Sequence, residues 1–413
     1  MMVGMKNRLG VLVVAAGFIF ASSSAGRAEG LFRLFPESQM NGFYSDNIPL
    51  RTNNEVGDFG SSMVFGFYGD YTSAARYASL HYDTFVQLYT HQTRLDRAGE
   101  GQYLSATDDE NLSPTTKLHF DELFYRDATS TVAVTTSDQA PQFNSVLALI
   151  VLADFQASIN QFHATLTHNW GHKWSSLIGV HQTTFWSQPT NSSTGNHTSY
   201  FQGITTETDY HFTSRFSLGV GYRFYDFRFT LPGAPDQQAH WPYAHVVWQP
   251  TENLYLSGIM GLAVSHSQGN NSDQVNPAGT GQAEYHFKRG RVYVYGGQEP
   301  FLTSVFGSVG NIRQVNGSIS YDLTQRITAT AGGGYFELNG SDFNGKFAAW
   351  GVGFSDRLNR WVSANVRFVQ LRRSETGQSQ FIPSGNQNGQ WATGNYFIVG
   401  LAASFEAFRW SWQ

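Results

Sequence analysis

The sequence predicts an all-β protein, an antiparallel meander of about 18 strands, with 16 as the alternative, closed into a transmembrane β-barrel. Short segments that alternate apolar and polar residues recur along the chain, and this period of two is typical of a strand with two different faces. Tight polar turns alternate with longer connections rich in Gly, Asn, Ser, Gln or Pro. Charged residues are only 14% and aromatic residues 15%, whereas soluble domains carry about 25% charged residues.

The clearest alternation lies between Ile312 and Arg373. Segment Val315 to Tyr321 places apolar or small residues at odd positions and mainly polar ones between them, and Val362 to Phe368 alternates strictly. A soluble sandwich with a wet outer face would show the same period. Aromatic residues next to the tight turns favour a membrane barrel, because aromatic girdles lie at the two membrane interfaces.

Tight turns recur at intervals of roughly 34 to 43 residues over much of the chain, which leaves room for two strands of about ten residues and one long connection. This spacing predicts a meander with its tight turns in the periplasm and its long connections outside. A propeller has a similar period, but no motif recurs at a fixed offset. The predicted turns are Thr72 to Arg76, Asn169 to Lys173, Thr213 to Arg215, Pro250 to Asn253, Lys288 to Arg291, Leu323 to Arg326 and Arg357 to Arg360.

Three segments before residue 156 are harder to interpret. Gln92 to Thr115 is hydrophilic and is predicted to be a long loop. Thr131 to Ser137 is a weak strand, and omitting it with one neighbour lowers the predicted strand number from 18 to 16. Val146 to Ala153 is apolar throughout, which predicts a short helix capped by Ser145 and shielded from water; the alternative is an extension of the strand that begins near Gln156.

The two ends of the chain indicate export to the outer membrane of a Gram-negative bacterium. Residues 1–28 combine Lys6 and Arg8, an apolar run and small residues, which predicts a secretory signal peptide followed by a single barrel over residues 29–413. The last segment resembles the assembly signal of outer-membrane barrels, although Gln413 follows the final aromatic residue. The expected partners are therefore outer-membrane lipid and the barrel assembly machinery. The residues of this signal are Phe408, Trp410 and Trp412.

The pleat assigns side chains to the lipid face or to the lumen. Aromatic residues beside tight turns are predicted to form the periplasmic girdle: Trp174, Trp248, Tyr321, Phe354 and Trp361. Charged residues opposite the apolar face of their strands are predicted to line the lumen, where they either select ions or pair with neighbours and fill space. They are Asp83, Asp121, Glu207, Asp209, Arg223, Glu284 and Arg367, with the face of Asp121 ambiguous because Phe120 and Leu123 disagree.

The sequence contains no Gly-x-Ser-x-Gly elbow, no His-Glu-x-x-His motif and no phosphate-binding loop of the Walker type, so we expect neither an enzyme nor a cofactor. His81 and Asp83 could be mistaken for a catalytic pair, but same-face polar residues are common in a barrel lined with polar groups. His163, His168, His172 and His181 fall around one hairpin on alternating faces or in its turn, so no metal site is predicted there. The net charge of −5 gives no indication of nucleic acid binding, and there are no cysteines.

Two short motifs, Tyr44-Ser45-Asp46-Asn47-Ile48-Pro49-Leu50 and Ala75-Arg76-Tyr77, resemble outer-membrane barrel proteins associated with exopolysaccharide and exosortase systems. The resemblance implies a pore or export channel for polysaccharide at the cell surface, and no catalytic residues. Two alternatives remain open on the sequence alone. One is a general diffusion porin, and the other is a closed structural or adhesive barrel that acts through its external loops.

Overall fold

The computed structural model describes residues 30–48, 56–92, 97–128, 156–188, 197–230, 236–267, 273–303, 308–339, 343–377 and 390–412. Every regular element in these ranges is a β-strand, and none of them contains a helix suited by length and hydropathy to span a membrane. The predicted signal peptide, the weak strand Thr131 to Ser137 and the predicted helix Val146 to Ala153 lie outside the described residues.

The strand segments in these ranges are numbered in chain order. They are β1 Gly30–Ser45, β2 Asp58–Ser73, β3 Arg76–Tyr89, β4 Arg97–Ser113, β5 Thr116–Ala128, β6 Gln156–Trp170, β7 Trp174–Gln188, β8 His197–Thr213, β9 Phe216–Phe229, β10 Gln237–Thr251, β11 Leu254–Ser267, β12 Gln274–Phe287, β13 Gly290–Thr303, β14 Ser308–Asp322, β15 Ile327–Asn339, β16 Phe343–Arg357, β17 Val362–Gly377, β18 Ala392–Ser404 and β19 Phe408–Trp412.

The strands form one closed antiparallel sheet. Consecutive strands from β1 to β18 pair with each other, and β1 pairs with β2 on one side and with β18 and β19 on the other. Segment Gly30 to Leu34 pairs with β19 and Glu37 to Ser45 pairs with β18, so these two short strands together occupy the eighteenth position around the wall. The predicted antiparallel barrel of 18 strands is confirmed.

All seven predicted tight turns connect adjacent strands at one end of the barrel. At the β6–β7 turn, Gly171 has φ of 80°, a left-handed conformation that glycine adopts without a steric penalty. In the β14–β15 and β16–β17 turns a side-chain oxygen accepts hydrogen bonds from the backbone. The Thr324 hydroxyl accepts from the amides of Arg326 and Ile327, and the Asn359 side-chain carbonyl accepts from those of Trp361 and Val362.

The predicted loop Gln92 to Thr115 is wrong, because residues 97–113 form β4, which pairs with both β3 and β5. Its acidic residues are satisfied within the wall: Arg76 donates to Asp108 with Nε 2.8 Å from Oδ1, and Asp109 lies 2.8 Å from His119. Asp109 lies on the wet inner face, whereas Asp108 lies on the outer face close to the tight turns, where Arg76 neutralises it. Since β4 is a strand in place of the predicted loop, the described residues reach 18 positions without Thr131 to Ser137.

Candidate functional site

The outer face of the barrel exposes apolar side chains along its strands. Trp350, Val352 and Phe354 alternate with small residues along β16 and are exposed, as are Leu218 and Val220 of β9. Further exposed residues of the same kind occur on β18. A water-soluble protein would not present continuous apolar rows around its whole circumference. A closed barrel with this exterior has the architecture of outer-membrane β-barrel proteins.

The aromatic residues predicted from the turns are placed on this exterior. All five girdle candidates are exposed and lie within or close to a tight turn: Trp174, Trp248, Tyr321, Phe354 and Trp361. Phe408 and Trp410 of β19 are exposed as well, and the backbone of Trp412 pairs with that of Gly30. The aromatic rows therefore lie near the rim that carries the tight turns.

The seven charged residues predicted to line the lumen all lie on the inner face. Register fixes this placement, since residues paired directly across neighbouring strands share a face. For the ambiguous Asp121, pairing with Thr107 and His163 places it inside, together with Leu123, while Phe120 points outwards. The cross-strand partners are Gly66 for Asp83, His163 for Asp121, Gly221 for Glu207, Gly219 for Asp209, Trp241 for Arg223, Tyr293 for Glu284 and Ile398 for Arg367.

Three of these residues meet in one cluster, and the other four lie apart from it. Arg223 Nη2 is 3.8 Å from Glu207 Oε1, and Asp209 lies two residues further along β8. The Arg223 guanidinium carbon is 5.0 Å from the ring centroids of both Trp241 and Tyr243. Tyr243 also donates a hydrogen bond to Glu207. The guanidinium is thus held against two rings, a contact that contributes up to about 2 kcal/mol when it is desolvated.

Three groups of histidine and carboxylate side chains lie on the inner face. The Nε2 of His81 is 3.2 Å from Glu37 and 3.1 Å from Asp83. The other two groups are His119 with Asp121 and His163, and His245 with Asp209 and Glu207. Sequence reasoning found the aspartates but missed Glu37, His119 and His245. Glu37 and His245 meet partners on other strands. His119 shares β5 with Asp121 but meets Asp109 and His163 only through the neighbouring strands, so the signal becomes visible only when the strand register is known.

The four histidines considered around the β6–β7 hairpin do not converge. His168 is hydrogen-bonded to Thr116, with its Nδ1 2.8 Å from the hydroxyl oxygen. His172 lies in the turn. His181 packs between the rings of Phe201 and Tyr225, with centroid separations of 4.9 and 5.2 Å. Only His163 belongs to a histidine and carboxylate group. The second histidine of that group is His119 of β5, which is not one of the four.

Inner-face glycines make room for several of these side chains to lie flat along the wall. A Cβ atom on Gly219 would lie 2.0 Å from Asp209 Oδ1, and one on Gly353 would lie 2.8 Å from Arg367 Cγ. In both cases the glycine is the direct cross-strand partner of the charged residue. Arg367 is consequently buried although it lies on the inner face. The pleat therefore decides the face, while the glycine opposite decides whether the charge reaches the lumen.

The inner wall differs between its two ends. We call the half beside the tight turns the turn half and the other the loop half. In the turn half, including its boundary with the loop half, the side chains of Glu37, Asp121 and Glu284 are 34%, 42% and 30% exposed. In the loop half, the inner residues Phe227, Trp241, Phe336, Phe347, Leu371 and Tyr396 are 0% exposed. Water has access to the turn half. In the loop half, apolar side chains pack tightly together with a few buried polar ones, among them Asn41, Gln87 and Arg373.

No family model matches the sequence, and no curated protein matches it either. Among solved structures, the chain is similar to OccK2 (OpdF) of Pseudomonas aeruginosa, with 11% identity over 91% of this chain and 98% of that chain and a TM-score of 0.45. It is similar to OpdO of the same organism at 11% identity, 91% and 98% coverage and a TM-score of 0.43. The chain is also similar to a ferric enterobactin receptor from Pseudomonas aeruginosa, with 9% identity over 90% of this chain and 81% of that chain and a TM-score of 0.43. At these values the likeness says nothing about a ligand.

Proposed function

We propose that the protein is an outer-membrane pore of low conductance that passes small hydrophilic solutes and prefers cations. The observation that carries the proposal is the partial exposure of acidic side chains on the inside of a closed barrel, at Glu37, Asp121 and Glu284. Charged side chains remain hydrated in this way only where the bore holds water. Rings or walls of carboxylates are a common means of attracting cations into a pore.

Charge on the inner wall is distributed unevenly, and this supports the preference for cations. Acidic residues are accessible on β1, β5 and β12, whereas Arg223 is clamped between rings and Arg367 is buried over Gly353. These two arginines therefore contribute less field to the water-filled space than their number suggests. Arg291, which is 47% exposed and 4.0 Å from Glu284 on the same face, offsets part of the acidic field there. Coulomb interactions with a passing ion weaken with distance and with screening, so accessible groups dominate selectivity.

The packed and largely apolar loop half supports low conductance. Side chains of Phe336, Phe347, Leu371 and Tyr396 belong to one packed cluster, and Phe227 and Trp241 belong to a second cluster on another part of the wall. Apolar constrictions oppose the passage of hydrated ions because they dewet. An aqueous, acidic section in series with an apolar section passes fewer ions than an evenly polar bore of the same strand number.

Export of polysaccharide, the narrower function implied by the resemblance, would require a sugar-binding path through the same lumen. The motif residues that carry the resemblance join the two ends of the sheet: Asp46 accepts from Asn395 at 2.6 Å, Asn47 donates to the Thr393 carbonyl at 2.9 Å, and Tyr396 donates to the Ile48 carbonyl at 3.4 Å. In this chain they help to close the barrel. The buried rings of the loop half are also not free to stack on sugars. The porin-like function therefore has better support.

Planar bilayer recording of the purified protein tests the proposal. We expect small conductance steps and a reversal potential in a salt gradient that indicates cation preference. Soluble polysaccharide added to either side should leave the current unchanged, and a specific block would favour the export channel instead. Absence of conductance from protein shown to be folded would contradict the pore and favour the closed structural or adhesive barrel.

A further inference from the structure

The inner-wall group His119, Asp121 and His163 has the donor set and spacing of a metal site. We infer that these residues bind one divalent transition-metal ion. The inference goes beyond the proposed pore and does not depend on it, because a site on the inner wall can bind a metal ion whether or not ions pass through the loop half.

The three donor atoms converge from two neighbouring strands. Asp121 Oδ1 is 3.1 Å from His119 Nε2 and 3.1 Å from His163 Nδ1. Asp121 and His163 are direct cross-strand partners, and His119 lies two residues before Asp121 on the same face of β5. Ligands that bind zinc at about 2.0 to 2.2 Å are separated from one another by roughly 3.0 to 3.5 Å. The two separations that involve Asp121 fall in this range, and all three ligand atoms lie within 4.8 Å of one another, so the donors suit a shared ion once the imidazoles adjust.

A fourth residue prepares His119 to act as a ligand. His119 Nδ1 lies 2.8 Å from Asp109 Oδ1 on β4. A proton on Nδ1 donated to this carboxylate leaves the Nε2 lone pair directed towards Asp121. Metal-binding histidines usually have such a carboxylate or carbonyl on the second ring nitrogen, because it fixes the tautomer and raises ligand basicity. Asp109 thus positions the ligand without contacting the ion.

The chemistry of the donors selects the class of ion. Two imidazoles and one carboxylate suit zinc, nickel, copper or ferrous iron, while calcium and magnesium prefer oxygen ligands alone. The side chains of His119, Asp121 and His163 are 37%, 42% and 41% exposed, so a hydrated ion can reach them from the lumen. Water completes the coordination sphere on the open side.

The other two histidine and carboxylate groups are poorer candidates. Each contains a single histidine, which lowers the affinity for transition metals. Glu207 is already engaged by Arg223 and by the Tyr243 hydroxyl, and a guanidinium at this distance opposes a cation. The carboxylates of Asp83, Glu207 and Asp209 are also less accessible than that of Asp121.

Calorimetric titration of the untagged, detergent-solubilised full chain with Zn²⁺ tests the site, with Ca²⁺ as the comparison ion. We expect one strong zinc site per chain and no comparable calcium binding. His119→Ala and His163→Ala should each weaken zinc binding at least tenfold, and Asp109→Asn should weaken it by about 10- to 100-fold. His168→Ala on the outer face of β6 and His245→Ala in another group are matched controls, and both should bind within about twofold of the unmodified chain.

Folding of each variant is checked by its β-sheet circular dichroism, and His163→Gln provides a second, more conservative variant at the same position. The absence of saturable zinc binding to the folded, unmodified chain would overturn the inference. So would unchanged binding in both His119→Ala and His163→Ala, or loss of binding in His245→Ala. None of these results would affect the pore proposal, which depends on conductance measured without added metal.

Discussion

The turn half and the loop half of the inner wall are built from the same strands and the same pleat, yet their environments are opposite. Inner residues of β12 and β5 in the turn half, such as Glu284 and Asp121, remain accessible to water. Inner residues of β16 and β18 in the loop half, such as Phe347 and Tyr396, are fully buried. Alternation therefore fixes which way a side chain points, while neighbouring strands decide whether it meets water or a packed cluster.

The largest expected effect is the loss of an aromatic ring from the loop half. Phe347→Ala removes a fully buried ring packed 6.0 Å, centroid to centroid, from Phe336. We expect the free energy of unfolding to fall by about 3 to 5 kcal/mol, the range for buried aromatic residues. Denaturant unfolding of the protein in lipid vesicles measures the loss. Ser355→Ala, on the inner face of β16 in the turn half, is the control and should change stability little; equal losses would remove the distinction between the halves.

A charged substitution on the outer face should lower the free energy of unfolding more than the same substitution on the wet inner face. Val352→Arg places a guanidinium among exposed apolar residues of β16 and should cost up to about 2 to 4 kcal/mol, depending on its depth in the bilayer. Ser318→Arg places the same side chain on the inner face of β14, where water reaches it. The same vesicle unfolding assay compares them. If Ser318→Arg costs as much as Val352→Arg, the turn half is not aqueous.

A smaller effect is expected when Arg367 is displaced from the wall. Gly353→Ala places a Cβ 2.8 Å from Arg367 Cγ, so the arginine must move into the lumen. We expect a cost of about 1 to 3 kcal/mol for overcrowding and a reversal potential shifted away from cations, because the guanidinium becomes accessible. Gly281→Ala, on the outer face of β12 with its nearest atom 3.7 Å away, is the control for adding a methyl group to a strand glycine without crowding. An unchanged reversal potential in a folded Gly353→Ala variant would show that Arg367 stays on the wall.

The smallest expected effect concerns selectivity without loss of stability. Neutralising the accessible acids by Glu37→Gln with Glu284→Gln should shift the reversal potential towards anions more than Arg223→Gln with Arg367→Gln shifts it towards cations. The reason is that the acids are partly exposed while the arginines are clamped or buried. Bilayer recordings at two salt concentrations provide the comparison. The opposite ranking would indicate that the arginines, not the acids, control the path.

Alternation of residue type was sufficient to predict most of the barrel, because each face of the strand meets a different solvent. It failed at β4, where Asp108, Asp109 and Glu110 were interpreted as loop residues. Both faces of that strand are rich in polar groups near the turn end, so the period of two is weak there. Acidic residues are acceptable in this strand because Arg76 and His119 lie on the two neighbouring strands.

The candidate metal site shows a different limit of sequence reasoning. The pleat was enough to assign Arg223 and Arg367 to the inner face, since only the strand itself was needed. Convergence of His119 with His163 depends on the register between β5 and β6, which are separated by a long connection, and no local pattern encodes that register. The burial of Arg367 could not be predicted either, because it depends on Gly353 of the adjacent strand.

Thiol labelling in lipid bilayers tests the contrast between the two halves most directly, because the chain has no cysteine of its own. Glu284→Cys in the turn half and Leu371→Cys in the loop half each provide one thiol on the inner face, and Val352→Cys provides one facing lipid. A charged, membrane-impermeant thiol reagent added to both sides should label Glu284→Cys rapidly and should label Leu371→Cys and Val352→Cys at least about tenfold more slowly, since a charged reagent requires water to reach the thiol. Rapid labelling of Leu371→Cys, or protection of Glu284→Cys, in folded protein would contradict a wet turn half joined to a packed loop half.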